Sequence, residues 1–250
     1  MRVFLTLVRR ELGSYFKSFS GYVVVAAVLL LNGFSLVDLI ERVRDHSVPT
    51  PVTELLFQTY YFWLVVLLTS PVITMRAFAA EKSSGTYEAL MTTPVGDWQV
   101  VLAKFAGTLG FYALAWLPLV GVLFALRQIT GVAALFDPPI VASTFLGILL
   151  VGSLFMALGC LASALTRSEI IAAMVTFLWG IGLWMAGYRP DSSTMLPAWA
   201  KPALEQISMT RHMEDFARGL LVGRHLVFYL SATAMLLFMT QRVVQARRWK

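Results

Sequence analysis

Long charge-free runs are the feature that most constrains this chain. Six uncharged stretches lie between charged residues, and their lengths are 20 (18–37), 21 (55–75), 22 (105–126), 29 (138–166), 19 (170–188) and 17 residues (225–241). A helix needs about 20 apolar residues to cross the hydrocarbon core of a bilayer. Because a spanning backbone must satisfy its own hydrogen bonds, we expect an all-α integral membrane protein with six transmembrane helices. A membrane β-barrel would instead show shorter segments of alternating hydrophobicity.

The rest of the composition argues against a catalytic or metal site. Cys160 is the single cysteine, so an internal disulfide or a thiolate cluster is excluded, and His46, His212 and His225 lack metal-ligand spacing. The phosphate-binding pattern G-x-x-x-x-G-K-[ST] and the hydrolase patterns H-E-x-x-H and G-x-S-x-G do not occur in the sequence. We therefore expect a non-catalytic membrane part without its own cofactor, with lipid rather than nucleic acid around it. A membrane enzyme stays an alternative that no acid–base constellation supports.

The distribution of basic residues indicates the orientation of the spans. With the N-terminus inside, the inner segments (1–19, 76–104, 167–169 and 242–250) hold 12 of the 20 Lys and Arg residues. Their net charge is +7, from 12 basic and 5 acidic residues, whereas the outer segments carry −1, from 8 and 9. The positive-inside rule therefore predicts that both termini lie in the cytoplasm.

Residues 1–19 have the pattern of an amphipathic helix rather than of a signal peptide. Apolar side chains recur at helical spacing at Phe4, Val8, Leu12, Tyr15, Phe16 and Phe19. The other face is occupied mostly by Thr6, Arg9, Arg10 and Lys17. Such a helix is expected to lie in the membrane interface, and an ordinary cytoplasmic cap on the first span is the alternative.

Three segments are expected on the outer side. Residues 39–54 and 127–137 are interpreted as short polar loops, whereas 189–224 is longer and rich in apolar residues. Within it, "ISMTRHMEDFARGLL" has partial helical spacing, so short helices are expected at the outer interface or in protein-lined space. The sequence has no internal repeat, and we expect residues 1–250 to form one transmembrane domain.

Small residues mark one face of the fourth charge-free run. They are Ser143, Gly147, Gly152, Ser153, Ala157 and Gly159. Small side chains let helix backbones approach closely in membranes, so this run is predicted to pack tightly against its neighbours.

A charged insert, "MRAFAAEKSSGTYEALMTTPV" (75–95), separates the second run from the third. Residues 75–83 have helical composition, and Gly85 suits the left-handed position after a helix. Thr86 can then cap a second short helix with Glu88 in its first turn, and the "TTP" sequence ends it. With Asp97 capping the third span, residues 76–97 are predicted to form a helix–turn–helix elbow on the cytoplasmic surface. Its charges are expected to face water or a partner.

The elbow resembles the permease subunits of type-2 ATP-binding-cassette (ABC) exporters, and among these it is most similar to the gliding-motility permease group. The matching residues are Met75, Arg76, Phe78, Glu81, Lys82, Gly85, Thr86, Glu88, Leu90, Thr92, Pro94, Val95 and Lys104. A second match, in "HMEDFARGLLVGRHLVFYLSATAMLLFMT", rests on Phe216, Arg218, Gly219 and Tyr229. One departure is that the group often has two acids where this chain has Ala80 and Glu81.

The resemblance implies a subunit of the bacterial cytoplasmic (inner) membrane that exports a substrate and is driven through the elbow by a separate ATPase. That partner would bind ATP and Mg²⁺. A second permease copy or a homologous permease would complete the transporter. Residues 76–94 would then include the coupling interface.

Two other interpretations stay open. The complex could act mechanically on a periplasmic partner or auxiliary subunit instead of carrying a solute, as the gliding-type resemblance and the 189–224 segment suggest. The elbow could also be a surface helix that binds lipid, although Glu81 and Glu88 would be repelled by anionic headgroups. Neutral polar residues in the spans do not identify a substrate.

Overall fold

The computed structural model describes residues 2–45, 54, 60–86, 96–130, 137–187 and 206–248, and these ranges contain helices and no strand. The helices with defined bounds are α1 (Arg2–Lys17), α2 (Phe19–Asp45), α3 (Tyr60–Thr74), α4 (Ala79–Ser83), α5 (Asp97–Thr130), α6 (Pro138–Leu165), α7 (Glu169–Ala186), α8 (Met209–Ala217) and α9 (Gly223–Arg248).

Within the described residues, six helical segments are long and apolar enough to cross a membrane, as the charge-free runs predict. They are Phe19–Asp38, Tyr60–Ser83, Asp97–Ala125, Pro138–Leu165, Glu169–Ala186 and Gly223–Ala246. The fold is therefore that of an all-α integral membrane protein.

Two predicted loops are shorter than expected. Helix α2 continues to Asp45 and α5 continues to Thr130, so residues 39–45 and 127–130 are helical rather than loop. The loop bounds rested on the first charged residue after each run, but charge does not end a helix. Glycine and proline do, and the nearest ones after these points are Pro49 and Gly131.

Helix α6 lies at the centre of the bundle, and its small-residue face packs as predicted. A Cβ atom on Gly152 would lie 2.1 Å from the ring of Tyr112 in α5, and one on Gly159 would lie 2.0 Å from Thr74 Oγ1 in α3. Each glycine therefore accommodates a side chain from a different neighbouring helix. Close approach of this kind gives van der Waals packing between the helices. Such packing stabilises a helix bundle in a bilayer, where lipid is as apolar as the side chains and there is no hydrophobic driving force between helices.

Helix α1 packs against α5, with part of its predicted apolar face turned inward. Tyr15 stacks on Phe111 at 4.7 Å between ring centroids, and its hydroxyl donates to the carbonyl of Ile73 at 2.9 Å. Phe16 and Phe19, predicted on the same face, are 45% and 84% exposed. Phe19 begins α2, and an exposed Phe16 is compatible with a helix in the membrane interface. The inward side of α1 also includes an acid, which is described below.

Helix α6 makes a different contact at each end of the bundle. Near one end of α6, Ser163 contacts the segment before α4, and we call this the elbow end. Near the other end, Ser143 contacts α8, and we call this the far end. Because a helix rises about 1.5 Å per residue, the 20 residues from Ser143 to Ser163 separate these contacts by about 30 Å.

Candidate coupling site

The second span does not run into the elbow as one helix. Helix α3 ends at Thr74, residues 75–78 form a turn, and α4 begins at Ala79. The continuous helix predicted over 75–83 is therefore wrong at its first turn.

A hydroxyl from the central helix occupies this break. Ser163 Oγ donates to the carbonyl of Met75 at 3.0 Å and accepts the backbone N–H groups of Phe78 and Ala79, each at 3.0 Å. These are the backbone groups that a helix break would otherwise leave unsatisfied inside the protein. A side chain 88 residues away in sequence thus stabilises the turn, and no local pattern could have predicted it.

The end of α4 has the predicted geometry. Ser84 is the last residue with right-handed backbone angles, and Gly85 follows with φ of +74°. Only glycine adopts this left-handed conformation without strain. The expected left-handed glycine after the helix is therefore confirmed, and Thr86 is again helical.

Four charged residues from three segments meet beside α4. Lys104 of α5 is 3% exposed, and its ammonium donates to Glu81 Oε1 at 2.9 Å and to Glu11 Oε1 of α1 at 3.3 Å. Arg10 lies 3.1 Å from Glu11 and 3.5 Å from Glu81. We call these four residues the elbow network.

The elbow network corrects two sequence interpretations. Lys104 lies two turns inside the third spanning helix rather than at its end, since α5 begins at Asp97. Its charge is tolerated there because two carboxylates neutralise it and the Phe78 ring lies 5.3 Å from its ammonium. Glu81, expected to face water or a partner, has only 20% of its side chain exposed. Glu11 is the acid that α1 turns inward.

The other described charges of the elbow are also bonded within the chain. The Lys82 ammonium donates to the carbonyl of Ala164 in α6. Arg76 donates to Glu169 of α7 at 3.0 Å, and also to Ser18 Oγ at 3.1 Å. Phe78 is fully buried. These residues hold the elbow to the bundle.

Residues 83–86, which include Gly85 and Thr86, form a continuously exposed tip of the described elbow, and Arg76 and Gly96 are exposed as well. The other predicted interface residues, Glu88, Leu90, Thr92 and Pro94, lie outside the described residues. Beside the tip, a cleft of about 710 Å³ opens between α1 and the elbow, and Arg10, Arg76 and Lys104 contribute to its lining. The elbow is thus anchored on one side and accessible at its turn.

The second predicted segment forms a short helix, α8, that packs on α6. Phe216 is fully buried, and its ring fills the space beside Gly147, where a Cβ would lie 2.8 Å away. The carbonyl of Phe216 accepts the Ser143 hydroxyl at 2.8 Å. The partial helical spacing in the sequence is confirmed, and the helix lies against protein.

Arg218 and Gly219 end this helix. Gly219 has φ of +82°, its N–H donates to the carbonyl of Phe216, and the N–H of Leu220 donates to that of Asp215. This is a Schellman motif, which satisfies the last carbonyls of a helix. Arg218 pairs with Glu54 at 2.5 Å, where only 2% of the Glu54 side chain is exposed. The ion pair ties α8 to the segment before α3.

A buried histidine makes α8 sensitive to acid. Burial, followed by the charges of His225 and Arg224, lowers the pKa of His212 from 6.5 to about 4, while Asp215 and the Gln206 backbone act in the opposite sense. Since the unfolded chain takes up the proton first, stability is complete above pH 6.5 and is lost as the pH falls towards 4. We expect thermal unfolding in detergent to show a loss of about 2–3 kcal/mol over this window.

His212→Gln isolates that effect, because glutamine hydrogen-bonds but does not titrate. The pKa of Glu214 is raised by burial and so acts with the opposite sign, but it is common to both proteins. The variant should show a flatter profile between pH 6.5 and 4. Equal slopes for the two proteins would show that His212 does not contribute.

Comparison with known proteins identifies the family. A family model described as "ABC-2 family transporter protein" matches residues 42–210, which is more than half of the 250-residue chain. Comparison with curated proteins returned no match. The matched range contains the elbow and four of the six spanning segments. The chain therefore belongs to the ABC-2 transporter family, and it is a multi-pass membrane protein that forms the permease subunit of an ABC transporter.

Proposed function

We propose that this permease exports a substrate and is driven by a separate ABC ATPase that binds the elbow, residues 76–97. ATP and Mg²⁺ are held by that partner. The observation that carries the proposal is the division of the elbow into a bonded side and an exposed tip. Phe78, Glu81 and Lys82 are buried or half-buried against the bundle, and Arg76 is bonded to it although 48% of its side chain is exposed, whereas residues 83–86 are all exposed.

This division sorts the predicted interface residues by role. Arg76, Phe78, Glu81 and Lys82 position the elbow, and the tip with Gly85 and Thr86 makes the contact, continued by Glu88, Leu90, Thr92 and Pro94. A contact surface must move together with the helices behind it if it is to transmit force. The elbow network links the elbow to α1 and α5, and Ser163 links it to α6.

The orientation follows from the same assignment. The elbow end lies on the cytoplasmic side of a bacterial inner membrane, as the excess of Lys and Arg in the segments on that side favours. Both termini share that side. Helices α2 and α7 keep large apolar side chains exposed, for example Phe34, Ile170 and Leu178 at 54%, 73% and 65%. Lipid and a second permease copy, or a homologous permease, cover these faces.

A mechanical function is the second candidate, and the arrangement of α6 favours it. This one helix carries the Ser163 contact at the elbow end and the Phe216 contact at the far end, about 30 Å apart. A displacement of the elbow can therefore reach α8 without any solute pathway, and a periplasmic auxiliary subunit could receive it. ATP-dependent accumulation of a solute in proteoliposomes would favour export over this alternative.

Site-specific photocrosslinking tests the ATPase contact. A photoreactive amino acid at Ser84, in the exposed tip, is expected to crosslink to the ATPase in membranes that contain both subunits. The matched control is the same amino acid at Leu221, which is 59% exposed at the far end. No crosslink from Ser84, or an equally strong one from Leu221, would overturn both the elbow assignment and the orientation.

A further inference from the structure

A polar cavity of about 480 Å³ lies at the far end, where α8 meets the first turn of α9. Two histidines, two arginines and two acids contribute to its lining: Arg211, His212, Glu214 and Asp215 from α8, and Arg224 and His225 from α9. None of these residues takes part in the coupling site. The cavity is therefore a separate feature of the molecule.

The two imidazole rings form the buried wall of this cavity. His212 and His225 are each 1% exposed, and their ring centroids lie 3.9 Å apart at an interplanar angle of 35°. His225 Nε2 lies 2.8 Å from Asp215 Oδ2, and His212 Nδ1 lies 3.3 Å from the hydroxyl of Tyr229. In the described part of the chain, the other two ring nitrogens, His212 Nε2 and His225 Nδ1, make no hydrogen bond of normal geometry, although the Gln206 backbone lies close enough to His212 to act on its pKa. Buried polar atoms without partners are rare, and they call for a ligand.

The hydrogen-bond partners of His225 Nε2 and His212 Nδ1 determine whether the other nitrogen of each ring is a donor or an acceptor. A carboxylate only accepts hydrogen bonds, so His225 Nε2 carries its hydrogen towards Asp215, and Nδ1 of the neutral ring is an acceptor. We assign the buried Tyr229 hydroxyl as the donor to His212 Nδ1, and this assignment places the hydrogen of His212 on Nε2 as a donor. The cavity therefore presents one ring donor beside one ring acceptor.

The charges around the rings favour an anion. Arg224 is exposed at the cavity and makes no hydrogen bond or ion pair to any described residue. The first turn of the 26-residue helix α9 adds its positive end. Of the two acids, Asp215 accepts the hydrogen bond of His225, and burial raises the pKa of Glu214. Among the described residues these side chains do not form a three-ligand metal set.

We propose that this cavity binds a phosphate monoester or inorganic phosphate in its singly protonated form. The unprotonated oxygens accept from Arg224 and from His212 Nε2, and the P–OH group donates to His225 Nδ1. Sulfate carries the same charge as hydrogen phosphate but has no hydrogen at neutral pH, so it leaves the His225 acceptor unsatisfied. A phosphate diester lacks the ionisable P–OH for the same reason.

Binding to the purified full-length chain in detergent at pH 7, measured by titration calorimetry, tests the proposal. We expect inorganic phosphate to bind and sulfate to bind at least about tenfold more weakly, which is the cost of one unmet hydrogen bond to a charged ligand. Equal binding of both anions would overturn the assignment of the P–OH donor. No phosphate binding in detergent, together with no preference for a monoester lipid in nanodiscs, would overturn the site itself.

Nanodiscs distinguish the two sources of the phosphate group. If the monoester belongs to a lipid, discs containing phosphatidic acid should raise the melting temperature and prevent phosphate binding, whereas discs with phosphatidylglycerol, a diester, should not. If the ligand is soluble, phosphate should bind equally in both kinds of disc. Equal stabilisation by the two lipids would contradict monoester recognition.

The variant Arg224→Gln removes one donor from an exposed position and should not disturb folding. It is expected to weaken phosphate binding by about tenfold or more. The matched control is Arg242→Gln near the other end of α9, where the exposed guanidinium contacts the Phe238 ring. Equal affinity of Arg224→Gln and the control would show that the phosphate does not lie at this cavity.

Discussion

Replacing Lys104 by methionine is expected to destabilise the protein by about 3 kcal/mol, because it leaves two carboxylates facing each other at the elbow without their shared cation. Glu11 and Glu81 both point at the Lys104 ammonium, which is 3% exposed. For a chain of this size the loss corresponds to a fall in melting temperature of about 6–12 °C. Thermal unfolding of the purified protein in detergent measures it.

Two comparisons make the Lys104 result specific. Arg10→Gln removes a cation from the same network, but this side chain is 56% exposed, so a loss of about 0.5 kcal/mol is expected. Adding Glu81→Gln to Lys104→Met removes both members of the closer pair and should recover part of the stability. If the double variant is less stable than Lys104→Met alone, the ion pair is not the source of the effect.

Substitution of Gly152 by alanine is expected to cost about 2–3 kcal/mol, although alanine is the better helix former. The new methyl group would lie 2.1 Å from a ring carbon of Tyr112, and that ring is fully buried in α5. Neither helix can move without disturbing the rest of the central packing. The melting temperature in detergent should fall by about 4–12 °C.

Gly182→Ala in α7 is the matched control, because nothing lies within 4 Å of the position where its Cβ would be. That variant should be neutral or slightly more stable. Tyr112→Ala combined with Gly152→Ala should cost less than the sum of the two single changes, since the ring and the methyl compete for one space. Strict additivity would contradict the proposed clash.

Much of the fold could be predicted from the sequence because bilayer physics is local. Charge-free length alone predicts the six spans, and the small residues of the fourth run predict its close packing against neighbouring helices. The left-handed Gly85 was predictable because no other residue adopts that backbone without cost. Counting charge-free residues did not predict where the helices end, since α2 and α5 continue past the first charged residue to Asp45 and Thr130.

The contacts of the site were less predictable because they join residues that are distant in sequence. Glu11 and Lys104 are 93 residues apart, and a count of apolar positions in α1 gives an acid no inward place. His212 and His225 had no ligand spacing, and they meet only because the chain reverses at Gly219. One sequence signal for the Glu11–Lys104 contact was present but was not used: Glu11 lies on the border of the apolar face of α1.

The break between α3 and α4 allows the elbow to transmit a push in a direction that an unbroken helix would not. A continuous helix from Tyr60 to Ser83 would deliver a push only along its own axis. If the elbow is the coupling site as proposed, a push would also pass sideways, through the Ser163 hydroxyl, into a helix that is remote in the sequence. Loss of the Ser163 hydroxyl oxygen would therefore remove this sideways connection while leaving the helices on both sides of it intact.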